Sequence, residues 1–215
     1  MRVVALAASM GGLQALSVIL RALPGDFPAP TVIVQHVSPE PRSELADLLS
    51  RRTALRVREA QQGDHLQAGW VYVAPSGRHL QVHPDGTLWL TLAEKVGLGR
   101  PSADLLFASL GGSLGGRAVA VVLTGTGRDG SKDVRAVRAA GGVTLAQDEA
   151  MSQFADMPRS AAATGCVDLV LPLDEFGPAL VRLLGGSGVA ERCASGADPS
   201  QPILIEQRSG VNGRG

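Results

Sequence analysis

The chain has 215 residues with 20 basic and 20 acidic side chains, a formal net charge of +0, so its overall charge gives no pull towards nucleic acid or an acidic membrane. Hydrophobic residues make up 45% and aromatic residues 3%, enough for one large domain with a core of Val, Leu and Ala. The two cysteines, Cys166 and Cys193, form no CxxC pair and no disulfide framework; buried free thiols in a reducing compartment are expected, with no metal and no cofactor.

Strand-like and helix-like periods alternate along the chain. Val3–Ala8 reads as a buried strand, too short for the apolar region of a secretory signal. No stretch reaches the ~20 apolar residues of a membrane span, and a cytoplasmic protein is expected. Leu13, Leu16, Ile19, Leu20 and Leu23 recur at helical spacing until Pro24-Gly25. Thr31–Gln35 is a second buried strand, followed by a helix over Glu44–Arg52. A short strand at Gly69–Ala74 precedes a hairpin in which Leu80–Val82 and Leu88–Leu92 flank His83-Pro84-Asp85-Gly86. His79 and His83, near that hairpin, read as surface polarity.

A helix over Ser102–Leu114 comes next, then strand Ala118–Leu123 and helix Ser131–Ala140. Strand Val143–Ala146, helix Met157–Ala163, strand Leu169–Leu171 and a last helix over Asp174–Leu184 complete the series. This alternation predicts an α/β fold: a single doubly wound, mainly parallel sheet with an antiparallel hairpin insertion. From Gly185-Gly186-Ser187-Gly188 onward the chain is rich in Gly, Ser and Pro. The expected division is therefore a domain over 1–184 and a mobile tail over 185–215.

Three apolar runs stop at Ser9, His36 and Asp129. Val3–Ala8 leads into Ser9-Met10-Gly11-Gly12, Thr31–Val34 into Gln35-His36, and Ala118–Leu123 into Thr124-Gly125-Thr126-Gly127-Arg128-Asp129-Gly130. Ligands of an open parallel sheet sit beyond the carboxyl ends of its strands, so a nucleophile, a base and a carboxylate can meet at one edge, whatever their chain order. Each fragment also has a plainer reading. Ser9 suits an N-cap or phosphate turn, His36 a structural role, and Asp129 or Ser131 a cap for the helix after it. The P-loop pattern and GxGxxG are both absent, which lowers a nucleotide-binding reading.

Taken together, the motifs resemble the catalytic domain of the chemotaxis-type protein-glutamate methylesterase (CheB) family. Ala7-Ala8-Ser9-Met10-Gly11-Gly12 is similar to that family's Gly-Ala-Ser-Thr-Gly-Gly, Val34-Gln35-His36 to its histidine motif, and Leu123–Gly130 to its Leu-Thr-Gly-Met-Gly-x-Asp-Gly. Tyr72-Val73-Ala74-Pro75, Arg100–Phe107, Ala146–Ala150 and Met157-Pro158 extend the likeness over roughly residues 3–184.

The resemblance implies a serine-type hydrolase that demethylates glutamate methyl esters on chemoreceptor-like proteins, releasing methanol, with deamidation of receptor glutamine as a companion activity. It implies Ser9 as nucleophile, His36 as general base and acid, and Asp129 as the carboxylate orienting His36. Met10, Gly11, Thr126 and Gly127 would surround the oxyanion. Met10 stands where the family has Thr, and Thr126 where it has Met, so rate and substrate preference are expected to differ. The family typically carries an N-terminal receiver domain. Here the first strand begins at Val3, which fits either a free-standing esterase with a separate regulatory receiver protein or the trimmed catalytic part of a longer chain. Arg100 and Arg128 are the expected docking cations for an acidic receptor helix. Two other readings stand beside this one: an esterase of a small-molecule ester, and a non-catalytic anion-binding module on the same fold.

Overall fold

The computed structural model describes residues 1–36, 44–92 and 100–185. Within them lie nine strands: β1 (Val3–Ala8), β2 (Thr31–Gln35), β3 (Arg56–Glu59), β4 (Trp70–Val73), β5 (His79–Val82), β6 (Leu88–Thr91), β7 (Ala118–Val122), β8 (Val143–Gln147) and β9 (Leu169–Leu171). Six helices accompany them: α1 (Gly12–Arg21), α2 (Leu45–Ser50), α3 (Ala103–Leu114), α4 (Val134–Ala139), α5 (Asp156–Ala162) and α6 (Phe176–Gly185). Seven of the strands form one sheet in the order β3-β4-β2-β1-β7-β8-β9, parallel at every pairing. β5 and β6 pair antiparallel as a separate hairpin. The doubly wound sheet with its hairpin insertion is the architecture read from the sequence.

β1, β2 and β7 are buried along their whole length, because helices cover both faces of the sheet. That is why these strands read as continuous apolar runs. Val4, Leu6, Ala8, Ile33, Val119 and Val121 pack under α1, α2 and α6. Their neighbours Ala5, Ala7, Val32, Val34, Ala120 and Val122 pack under α3, α4, α5 and the hairpin. The chain adds β2 on one side of β1 and later returns to add β7 on the other. Beyond the carboxyl ends of β1, β2 and β7 lies the crevice where ligands of such sheets bind.

Some sequence expectations need correction. His79 is 0% exposed, so it belongs to the interior and not to the surface; His83 is exposed and stacks on Trp89, with ring centroids 5.1 Å apart. Strand β3 was not read from the sequence because Arg56-Val57-Arg58-Glu59 is mostly charged. It is the edge of the sheet, where charge discourages pairing with other chains. Arg56 and Arg58 lie over the Trp70 ring at 5.5 and 5.2 Å, and Arg58 pairs with Asp64 at 2.7 Å. The helix expected over 131–140 is shorter, Val134–Ala139. Cys166 is a partly buried free thiol, and Cys193 lies outside the described residues, as does the expected tail from 186 onward. Among the described residues no helix is long and apolar enough to cross a membrane.

Candidate active site

Ser9 directly follows β1 and His36 directly follows β2. These strands pair in parallel through Ala8 and Gln35, and the His36 amide donates to the Ala8 carbonyl at 3.1 Å. Strand alternation puts Ser9 on the side of Ala7 and His36 on the side of Val34, the face covered by α3. The backbone of Ser9 is tied on both flanks. Its amide donates to the Thr124 carbonyl beyond β7 at 3.0 Å. Its carbonyl accepts from Gln35 Nε2 at 2.6 Å and from the Gly12 amide at 2.9 Å. Gln35 also donates to the His36 carbonyl at 3.2 Å, so this buried amide links both strand ends.

Asp129 accepts hydrogen bonds on both carboxylate oxygens. Oδ2 takes His36 Nε2 at 2.7 Å and the Ala103 amide at 2.6 Å. Oδ1 takes the Ser102 hydroxyl at 2.9 Å, the Asp104 amide at 3.0 Å and the Gly130 amide at 3.1 Å. Burial pushes this carboxyl up, but the bond from His36 and those from the Ala103 and Asp104 amides outweigh it. Asp129 sits below the ordinary carboxylate range and is ionised, which makes His36 Nε2–H the donor. Nδ1 of His36 is buried and has no hydrogen-bond partner among the described residues. Ser9 Oγ likewise makes no hydrogen bond with a described residue. The helix that Asp129 caps is therefore α3, 25 to 27 residues earlier in the chain, and not the helix that follows it, as sequence proximity had suggested.

The amides of Met10, Gly11, Thr126 and Gly127 donate to no described group and lie on the two loops flanking Ser9. Free amides so arranged can hold a developing oxyanion. Gly11 has φ +77°, a backbone conformation that favours glycine. Met10, next to Ser9, is 53% exposed. Arg128 is exposed, and its side chain makes no hydrogen bond or ion pair with a described residue. Arg100 is partly buried and donates from Nη1 to the Leu92 carbonyl at 2.9 Å.

Sequence reasoning missed the residues that hold this edge together. The Thr124 amide donates to Gln147 Oε1 at 2.9 Å. Its hydroxyl accepts from the Phe154 amide at 2.9 Å and lies 3.1 Å from the Met10 carbonyl. At Gly125 an added Cβ would lie 2.7 Å from Ser9 Cβ and collide with Met157 Sδ. Gly125 cannot retreat, because its amide donates to Phe154 at 2.8 Å and its carbonyl accepts from Met157 at 3.0 Å. Gly125→Ala should therefore displace Ser9, cutting turnover by about 100-fold and stability by about 1–3 kcal/mol. Steady-state kinetics with a thermal melt would read both; wild-type turnover would show that the close approach is dispensable.

A hydroxyl, an imidazole and an ionised carboxylate at one sheet edge, flanked by free amides, compose the equipment for acyl transfer. Residues 4–180 match the family model of the CheB methylesterase. The chain belongs to the CheB methylesterase family. Over 181 residues it is 49% identical to protein-glutamate methylesterase/protein-glutamine glutaminase 2 of Anaeromyxobacter dehalogenans, covering 84% of this chain and 53% of that protein. Over 179 residues it is 46% identical to protein-glutamate methylesterase FrzG of Myxococcus xanthus, covering 83% of this chain and 54% of that one. The chain thus spans about half the length of these CheB-family relatives. The crystal structure of the Thermotoga maritima CheB methylesterase catalytic domain superposes with a TM-score of 0.81 at 34% identity, covering 85% of this chain and 98% of that one.

Proposed function

We propose that the chain is a serine-type carboxylic ester hydrolase that removes methyl groups from glutamate methyl esters on chemoreceptor-like proteins. The observation that carries this reading is the wiring of His36, with Nε2 bound to an anchored Asp129 carboxylate and Nδ1 without a hydrogen-bond partner among the described residues. The names of the CheB-family relatives support it. In this reading Ser9 Oγ attacks the ester carbonyl while Nδ1 of His36 takes its proton. The same nitrogen returns that proton to the departing methanol. Water, deprotonated by Nδ1, then attacks the acyl-enzyme; the bond to Ser9 Oγ breaks, Oγ takes the proton back from Nδ1, and the glutamate carboxylate is freed. Asp129 fixes the tautomer and stabilises the imidazolium, and the amides of Met10 and Thr126, with Gly11 and Gly127 beside them, receive the oxyanion. A glutamine side chain has the same acyl geometry, with ammonia as leaving group, so deamidation belongs to the same reading.

The test is to incubate the protein with receptor fragments bearing glutamyl methyl esters and measure methanol. Release that stops in Ser9→Ala supports the reading. No release from receptor, with turnover of small methyl esters, would favour the small-molecule alternative.

The reading also concerns partners. It places the chain in the cytoplasm, in receptor signalling, with a receiver protein as regulator. A receptor helix that is acidic on its solvent face calls for cations near the site, and Arg128 and Arg100 are the candidates. Arg128→Glu should lower kcat/KM on receptor several-fold at low salt and much less at high salt, because exposed charges are screened within about 10 Å at 0.1 M. Turnover of an uncharged small ester should hardly change. Equal, salt-independent losses on both substrates would assign Arg128 to shaping the site.

A further inference from the structure

Asp104 lies in the first turn of α3, where an acidic residue ordinarily serves its own helix. Here its Oδ1 reaches elsewhere, accepting the amides of Lys132 at 3.1 Å and Asp133 at 3.0 Å, 28 and 29 residues away. At the same time its own amide donates to Asp129 Oδ1 at 3.0 Å. The two carboxylates are exchanged between segments: Asp129, from the loop after β7, caps α3, and Asp104, from α3, holds the end of that loop. The side chain of Asp133 supplies no cap to α4, so the amides ahead of that helix rely on Asp104.

We propose that Asp104 is a positioning residue of the hydrolytic site, clamping the 129–133 segment to α3 so that the Asp129 carboxylate stays in register with His36. The inference rests on the esterase reading only for the reaction that reports it. The electrostatics oppose the ionised form of this carboxylate. Burial pushes its carboxyl up, and although the Asp133 amide lowers it, the charges of Asp129 and Asp133 add to the upward push. A buried carboxylate beside another one costs stability, which proteins tolerate where function requires it.

The test compares Asp104→Ala with Asp104→Asn in the full chain. Asparagine keeps an acceptor oxygen for both amides; alanine keeps none. A misplacement of about 1 Å costs on the order of 100-fold, so Asp104→Ala should lose about that factor in kcat with KM within about two-fold, and Asp104→Asn should restore most of it. The second readout is nitrogen-15 NMR of the His36 ring, assigned by its disappearance in His36→Gln. The wild type and Asp104→Asn should show the Nε2–H tautomer with a strongly deshielded proton, and Asp104→Ala should lose that proton signal while its far-ultraviolet circular dichroism stays native. If the wild type releases no methanol, the substrate reading fails, and the NMR comparison still decides the clamp. An unchanged His36 signal in Asp104→Ala overturns the proposal, as does an Asn variant that behaves like Ala in both measurements.

Discussion

Ser9→Ala should lower methanol release from a methylated receptor by about four to six orders of magnitude, and His36→Ala by a similar factor, because members of a working triad act as one unit. The double variant should be little worse than either single one. That non-additivity is the sharper result, since two independent binding contributions would multiply. Neither substitution should unfold the protein: β1 and β2 are held by buried apolar side chains on both faces, and Ser9 and His36 stand just beyond them. Unchanged turnover in Ser9→Ala would remove Ser9 from the nucleophile's role.

Asp129→Asn should reduce turnover by about ten-thousand-fold through the wrong imidazole tautomer. An amide at 129 directs either its oxygen or its NH₂ at His36, and it presents one acceptor oxygen where the carboxylate has two. Five hydrogen bonds converge on this side chain, three of them from the start of α3. A loss of thermal stability should therefore accompany the loss of rate, unlike in Ser9→Ala. The pH dependence has a definite sign. A carboxyl lowered on folding contributes stability that is present above its unfolded pKa and lost as pH falls through the folded one. Asp104 and Asp133 are raised, so their contributions run the other way, present below the unfolded pKa and lost as pH rises through the folded one. Comparing acid unfolding of wild type and Asp129→Asn isolates the first contribution: the variant should lose less stability between neutral and acid pH. Parallel curves would mean that Asp129 is no better solvated by its partners than in the unfolded chain.

The strands that carry the site were legible because they are buried on both faces, and apolar runs of that kind admit few other readings. The strand-end positions of Ser9, His36 and Asp129 followed from them. Charged β3 was not legible, since a sheet edge needs no apolar pattern. His79 was misjudged for a related reason: a polar residue beside a turn looks solvated until α3 is laid across the hairpin, where Ser109 and Ser113 bond the backbone of Val82 at 3.0 and 2.7 Å. The capping of α3 by Asp129, the bracing by Gln35 and Thr124, and the exchange between Asp104 and Asp129 are long-range polar contacts. They leave no periodic signature: the helix over Ser102–Leu114 and the resemblance of Arg100–Phe107 to a family stretch marked that segment, but neither pointed to its partners.

The wiring of the histidine has a mechanical consequence. Nδ1 is attached to Cγ, so this nitrogen lies near the backbone at the end of β2, while the far nitrogen is moored to Asp129 and through it to α3. The ring is a short beam fixed at both ends, and the nitrogen proposed to take the Ser9 proton lies between the supports. Its two side-chain torsions have little freedom left to lose when an ester arrives, because that ordering was completed when the chain folded. One of those supports is the first turn of a helix whose buried face belongs to the core. Competence to react and integrity of the fold should therefore disappear together on heating, with no intermediate range in which a folded protein carries a slack histidine.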